Sequence, residues 1–347
     1  MAGGANEGGA RHLARARKTP PGRTIAVTGA CGFLGSNLVA LLEEDATVAN
    51  IVILDVSMPP TVGAKSRFYE TDLSMPGVAA RLAEVFQAER VDVLVHAAFV
   101  SRPTPATTWA HELESVGTMH VLDACRRRPV PRIVMTSTVL VYGPHPSNPN
   151  FLSETHPTRG LQGSNFVTDK LDAEAQVLRF AKANDKSAVV VLRFAPMLGP
   201  NVDNFVARWL SRRVVPVVMG HDPLLQLVHE MDALAALKLA VDRDVRGIFN
   251  IVGEGVLPVS TALKLSGRIA LPVPYRWLRR ATALLWSAHV ADASPALVAA
   301  LRYLCVADGE RAKRELGFVP VHTTRDALLD FESTQRLRSA RLLRGAA

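Results

Sequence analysis

Up to about Ala195 the chain alternates between short apolar runs and longer segments whose apolar residues fall three and four apart. TIAVTGA from Thr24, NIVILDV from Asn50, RFYETD from Arg67, VDVLVHAA from Val91, RIVMTSTVLVYG from Arg132 and AVVVLRFA from Ala188 read as strands. Runs that stay apolar rather than alternating fit strands buried on both faces. Between them FLGSNLVALLEED, VAARLAEVFQAE, WAHELESVGTMHVLDACRR and the segment 167–183 have helical spacing, and the third of these reads as one long helix. Strand and helix in alternation predict an α/β fold with a doubly wound parallel sheet. After Gly199 the chain turns Pro-richer and mainly helical, with one more strand at GIFNIVG. That predicts a sheet domain over 23–198 and a smaller, mainly helical substrate lobe over 199–334, to which a strand near 247–252 returns.

Composition adds the ends. The chain has 347 residues and a net charge of +8. Residues 1–22 are rich in Gly, Ala and Arg and end in Pro-Pro-Gly, which reads as a disordered basic tail. Residues 335–347 form a second basic tail, with Arg336, Arg338, Arg341 and Arg344. The excess charge sits at the two ends, so a basic sheet domain is not implied. Without a zinc-finger or RNA-binding signature, a nucleic-acid partner is not expected. No apolar run reaches the length of a membrane span, and no secretory leader is seen. Cys31, Cys125 and Cys305 have no metal spacing and cannot all pair, which points to a reducing, cytoplasmic setting.

The candidate chemistry begins at TGACGFLG. Gly29, Gly32 and Gly35 lie between a strand and a helix. The first permits a sharp turn, the second lets backbone approach a pyrophosphate, and the third lets the helix pack against the strand. The helix N-terminus then offers free N–H groups to phosphate charge. Asp55 ends the second strand, 20 residues beyond Gly35. A carboxylate there binds ribose hydroxyls and repels a 2′-phosphate, so NAD is expected over NADP.

With these residues the sequence resembles the extended short-chain dehydrogenase/reductase family of NAD-dependent epimerases and dehydratases. The likeness runs from about Thr24 to Phe331 and includes ETDL, HAA, VGTMHVLDAC and RAKRELGFVP. It implies a Rossmann-type sheet, NAD as cofactor, a small-molecule substrate and a homodimer built on the helices near 107–127 and 166–183. It also implies a cofactor site of Gly29, Cys31, Gly32, Phe33, Leu34, Gly35, Asp55, Asp72, Leu73, Ala97, Ala98, Lys170, Phe194 and Ala195. For catalysis it implies Thr138, with Ser137 beside it, as the hydroxyl that meets the reacting oxygen. Lys170 is the lysine that holds the nicotinamide ribose.

The departures are as informative. The family's acid/base tyrosine lies four residues before its lysine, and here that position is Phe166. A ring without a hydroxyl cannot move a proton. Its edge is expected beside the nicotinamide, where a restored hydroxyl would meet a polar pocket. Tyr142, Asp169 and His145 are the nearby groups that could substitute. Leu225 stands where an arginine would grip a diphosphate, Pro196 where an asparagine would touch substrate, and Glu114 where a helix asparagine is expected. His229 and Asp232 read as a buried hydrogen-bonded pair. A nucleotide sugar is therefore not the expected substrate. The sequence reads as an NAD-binding, epimerase/dehydratase-like oxidoreductase with a degenerate site, acting on a sugar-like or other hydroxyl or carbonyl compound. The alternative is a non-catalytic NAD(H)-binding regulator or scaffold. YRWLRRATALLWSAH forms a basic amphipathic helix, whose Trp277, Ala281, Leu284 and Ala288 face is expected to pack into the core.

Overall fold

A computed structural model describes residues 22–60, 62–303 and 305–345. The chain starts with β1 (Arg23–Thr28), α1 (Phe33–Glu44), β2 (Val48–Asp55), β3 (Ser66–Glu70), α2 (Val78–Ala88) and β4 (Val93–His96). A helical run follows as α3 (Thr107–His111) and α4 (Gly117–Arg127), then β5 (Arg132–Thr138), α5 (Asn165–Ala183) and β6 (Ala188–Phe194). The lobe adds β7 (Met197–Leu198), α6 (Phe205–Ser211), β8 (Val214–Val218), β9 (Leu224–Leu225), β10 (Val228–His229) and α7 (Glu230–Asp242). It ends with β11 (Gly247–Ile251), β12 (Leu257–Pro258), α8 (Val259–Leu265), β13 (Ile269–Val273), α9 (Tyr275–Ser287) and α10 (Thr324–Gly345).

Seven strands form one sheet in the order β3-β2-β1-β4-β5-β6-β11, and every pairing in it is parallel. Successive residues of β1 serve opposite layers. Ile25 and Val27 join the core under α1 and α7, whereas Ala26 joins the core under α2, α4 and α5. Burial on both faces explains the continuous apolar runs. The chain winds outward through β2 and β3, then returns to the other side of β1 at β4. The resulting crevice at the C-terminal ends of β1 and β4 is where open α/β sheets bind ligands.

Several expectations need correction. The long helix is broken by a π-turn over Glu112–Val116 between α3 and α4. The lobe is mainly helical but carries more strand than the returning β11. Three small pairings, β7 with β10, β9 with β12 and β8 with β13, knit it together. Two-residue strands, and strands interrupted by Pro216 or Pro272, carry too little alternation to be read. Segment 335–345 continues α10 as helix, and Arg338 donates to the Pro200 carbonyl at 2.8 Å. The expected N-terminal tail lies outside the described residues, except for Gly22. On α9, Leu278 is the buried residue at 7% exposure, while Trp277 and Leu284 are 67% and 72% exposed. The buried side is thus turned away from the stripe expected to pack.

Candidate functional site

At the switch point, Gly29 adopts φ +70°, and a Cβ there would lie 2.5 Å from the Ala97 carbonyl oxygen. The loop leaving β1 therefore sits directly against the loop leaving β4. A Cβ on Gly35 would collide with the Gly29 carbonyl, so glycine brings α1 onto β1. Gly32 is different. It is exposed, it is the N-cap of α1, and its missing Cβ would touch only the Gly29 oxygen at 3.2 Å. No side chain caps this helix, so its first N–H groups have no side-chain acceptor. Phe33 is half-buried and Leu34 buried behind them.

Asp55 anchors the far side of the loop. Its carboxylate accepts from the backbone N–H of Cys31 and of Val56, each at 2.8 Å. A carboxylate has about four acceptor positions, so two remain for outside donors. The Cys31 thiol donates to the Ser57 carbonyl at 3.0 Å, and partial burial followed by the nearby Asp55 charge pushes its pKa up. Asp72 accepts from the N–H and hydroxyl of Ser74, while Leu73 is buried and its carbonyl meets His120 at 2.8 Å. Ala97 and Ala98 line the exit of β4, and Phe194 and Ala195 are buried at the exit of β6.

At the end of β5 the candidate hydroxyls separate. Ser137 Oγ donates to Glu174 at 2.6 Å, within a buried network. Glu174 pairs with Arg193, Arg193 donates to the Tyr142 hydroxyl at 2.8 Å, and Tyr142 donates to Asn250 at 2.7 Å. Ser137 and Tyr142 are thus committed to structure, and burial pushes the Tyr142 pKa up. Thr138 is half-buried, and its oxygen accepts from Leu140 N–H at 3.3 Å. That leaves its own hydroxyl hydrogen available. Asp169 pairs with His111 at 2.8 Å, and His145 with Ser147 at 2.8 Å on the surface.

Lys170 is buried. Its ammonium donates to Glu114 at 2.6 Å and to the Val100 carbonyl at 3.0 Å, and it lies 4.0 Å from the centroid of the Phe166 ring. Two of its three N–H groups are used, leaving one for a ligand. Glu114 is fully buried. It also accepts from Val100 N–H at 2.7 Å, and its second oxygen has no partner among the described residues. Burial pushes its pKa up, against the opposing pull of Lys170. The pairing of Lys170 with Glu114 was not legible in the sequence. The clue was an acid among the buried helix positions, which demands a cation. Phe166 packs with Leu140, Val167 and Leu297 and meets the Phe205 ring edge-on at 6.0 Å. Its ring thus lies between apolar neighbours on one side and the Lys170 ammonium over its face.

Beneath the switch point lies a residue the sequence reading passed over, His96. Thr118 has one hydroxyl hydrogen, and it goes to the Glu114 carbonyl at 2.5 Å. Thr118 must therefore accept from His96 Nε2–H at 2.9 Å, and Thr28 must donate to His96 Nδ1 at 2.8 Å. Complete burial lowers the His96 pKa to about 4, so the ring is neutral.

A cavity of about 410 Å³ opens where β5 and β6 end, starting at Val139, Leu140 and Pro196 and continuing into the lobe past Leu225 and Leu297. Its guanidinium, Arg212, is paired with Asp292 at 2.8 Å. His229 and Asp232 do not pair with each other. His229 bonds Asp330 at 3.0 Å, and Asp232 bonds His322 at 3.1 Å, with the two imidazoles stacked. They tie α7 to the start of α10. Among the described residues no cluster of His, Cys, Asp and Glu could hold a metal ion.

A seven-stranded parallel sheet with a glycine-lined crevice at its switch point, and a lobe over the strand ends, is the Rossmann-type fold of the epimerase and dehydratase neighbours. Within it the chain belongs to the NAD dependent epimerase/dehydratase family, whose model matches residues 25–252. An uncharacterized protein of Mycobacterium tuberculosis is 34% identical over 317 residues, covering 89% of this chain and 83% of that protein. A 3-diazoavenalumate denitrifying reductase from a Streptomyces species is 25% identical, covering 88% of this chain and 98% of the reductase. The fold matches MoeE5, solved in complex with UDP-glucuronic acid and NAD, with a TM-score of 0.71 and 24% identity, covering 91% of this chain and 99% of that one. No helix among the described residues is long and apolar enough to cross a membrane.

Proposed function

We propose that the protein is an NAD-binding oxidoreductase of the epimerase/dehydratase class that acts on an apolar small molecule bearing a hydroxyl or carbonyl group. Gly32 and the uncapped start of α1 fit a pyrophosphate. The two remaining acceptor positions of Asp55 fit the adenosine ribose, and Asp72 and Leu73 flank the adenine side. Ala97, Ala98, Phe194, Ala195 and the remaining N–H of Lys170 fit the nicotinamide half. Bound there, NAD(H) supplies hydride acceptance or donation. The Thr138 hydroxyl holds the substrate oxygen. No side chain at position 166 can move a proton, and the loss of such a group slows turnover by about 10²–10⁴-fold.

The observation that carries the substrate class is the cavity. It begins beside Thr138, its walls are mostly apolar, and its guanidinium is already neutralised by Asp292. A nucleotide diphosphate finds no free cation there, whereas an apolar molecule gains about 25 cal/mol for each Å² it buries. One relative that aligns along most of the chain is named a 3-diazoavenalumate denitrifying reductase, which supports a substrate other than a nucleotide sugar. The test is a panel of apolar alcohols and ketones alongside UDP-sugars, followed by nicotinamide absorbance. Turnover confined to apolar compounds supports the reading, and turnover confined to UDP-sugars refutes it.

A second reading, a non-catalytic NAD(H)-binding regulator or scaffold, is favoured by Phe166 and by the neutralisation of Lys170 by Glu114. It predicts NADH binding with no turnover across the whole panel. A homodimer through α4 and α5 accompanies either reading, and sedimentation equilibrium measures it.

A further inference from the structure

The face of the lobe that carries α9 is apolar, basic and unpartnered. Trp277 and Leu284 project outward, and Leu285 and Val290 are 47% and 66% exposed. Beside them the ribbon of β8 and β13 adds the cross-strand pair Val214 and Ile269, with Leu271 further along, all exposed. Large exposed apolar patches on a folded domain mark a surface that docks on something. Along α9, Trp277, Ala281, Leu284 and Ala288 fall on one stripe, because steps of four, three and four residues return to the same side of a helix. Arg276 and Arg280 flank this stripe on the side away from buried Leu278, with Arg279 further round. All three arginines are exposed, and no carboxylate pairs with them among the described residues. Nor does the sequence offer one nearby. From Gly255 to Ala291 there is no Asp or Glu, and of the Lys and Arg residues there only Arg268 has a carboxylate partner among the described residues, Glu332 at 2.9 Å, which leaves Lys264, Arg276, Arg279 and Arg280.

We propose that this face docks on the surface of an anionic lipid bilayer, with α9 lying in the headgroup region. Apolar side chains flanked by arginines, on a helix too polar to span, match the chemistry of that interface. Charge decides between occupants. A second copy of the chain would bring the same unneutralised arginines face to face, whereas anionic headgroups neutralise them. The position of the cavity agrees with this. Leu271, Ala281 and Leu285 line it and are themselves exposed, so its mouth opens on this face. An apolar ligand dissolved in the bilayer reaches the cavity without crossing water. The docking claim does not rest on catalysis, since a non-catalytic protein would dock equally.

The experiment is co-sedimentation of the full chain with phosphatidylcholine vesicles, with and without phosphatidylglycerol. Binding is expected only to the anionic vesicles and should weaken as salt rises. Each basic residue near an anionic surface contributes about 1 kcal/mol, so Arg276→Gln, Arg279→Gln and Arg280→Gln together should weaken binding on the order of 100-fold. Trp277→Ser with Leu284→Ser, both at exposed positions, should abolish it while leaving the thermal melt unchanged. Brominated lipid should quench the fluorescence of the wild type more than that of Trp277→Phe. Absence of vesicle binding overturns the proposal, and so does binding that survives both sets of variants, which would place the contact on the basic termini. A dimer that Trp277→Ser and Leu284→Ser dissolve would also overturn it by giving the face to a second copy.

Discussion

Three side chains at one corner of the crevice carry most of the meaning at the residue scale. Phe166 has no proton to give. Lys170 is shared between Glu114 and a prospective ribose. Glu114 is buried with one oxygen unpartnered among the described residues. Removing one member of a buried ion pair costs about 3–5 kcal/mol, because the other is stranded. Lys170→Ala should therefore lower unfolding stability by about that amount and also weaken NADH binding. The double variant Lys170→Met with Glu114→Gln separates the two roles. Denaturant melts should show most of the stability restored, while NADH titration should still show weak binding. Restored affinity in the double variant would mean that Lys170 serves only Glu114. Phe166→Tyr adds a hydroxyl to a ring held between Leu140, Leu297 and Phe205 and the Lys170 ammonium, and should cost about 1–3 kcal/mol in a chemical melt if that hydroxyl finds no partner. On the opposite side of the crevice, Asp55 should make NAD bind more tightly than NADP, and Asp55→Ala should narrow the difference. Calorimetric titration with both cofactors measures this, and equal affinity for the native protein would remove the role assigned to Asp55.

At the scale of elements, what could be read from the sequence was what a period can encode. The six strands of the first half, their helices and the returning strand β11 announce themselves because continuous burial or one-sided burial leaves a regular pattern. The π-turn does not. One extra residue within a helix changes no composition, yet it rotates everything beyond it by about 100°. Glu114 sits within that turn, fully buried, under Lys170. On α9 the apolar stripe was legible, but which way it faced was not, because spacing defines a face without saying what covers it. The Thr28–His96–Thr118 chain crosses from β1 through β4 to α4 and was likewise invisible to local pattern. It makes a prediction about pH. The His96 pKa falls from its ordinary 6.5 to about 4 on folding, so protonation favours the unfolded chain. Its contribution is complete above about pH 6.5 and is lost as the pH falls towards 4, to a total of about 3 kcal/mol. Chemical denaturation across that range should show the loss, and His96→Asn should flatten that part of the profile. An unchanged slope in the variant would place the titration elsewhere.

On the scale of the whole molecule, the two halves answer different questions. The sheet matches the family, whose model covers residues 25–252, and its glycine turn was legible because close backbone approach at Gly29 and Gly35 demands glycine. The lobe was not, since its cavity draws residues from α6, β9, α9 and the loops between, with no spacing to connect them. Leu225 and Pro196, which the sequence reading set at positions where the family has polar anchors, both line that cavity. UDP-glucose should accordingly bind weakly, and Leu225→Arg should not improve it unless the apolar wall opposite also changes. Competition against a fluorescent apolar probe measures both. The account joins a dinucleotide crevice to an apolar cavity through the corner at Thr138 and Phe166, and a crystal structure of the protein with bound NADH tests that junction most directly. The predicted result has the pyrophosphate at Gly32, the adenosine ribose on the remaining acceptor positions of Asp55, and the nicotinamide C4 facing the inner end of the cavity at Leu140. A nicotinamide directed away from the cavity, or a cofactor bound outside the glycine crevice, would contradict it.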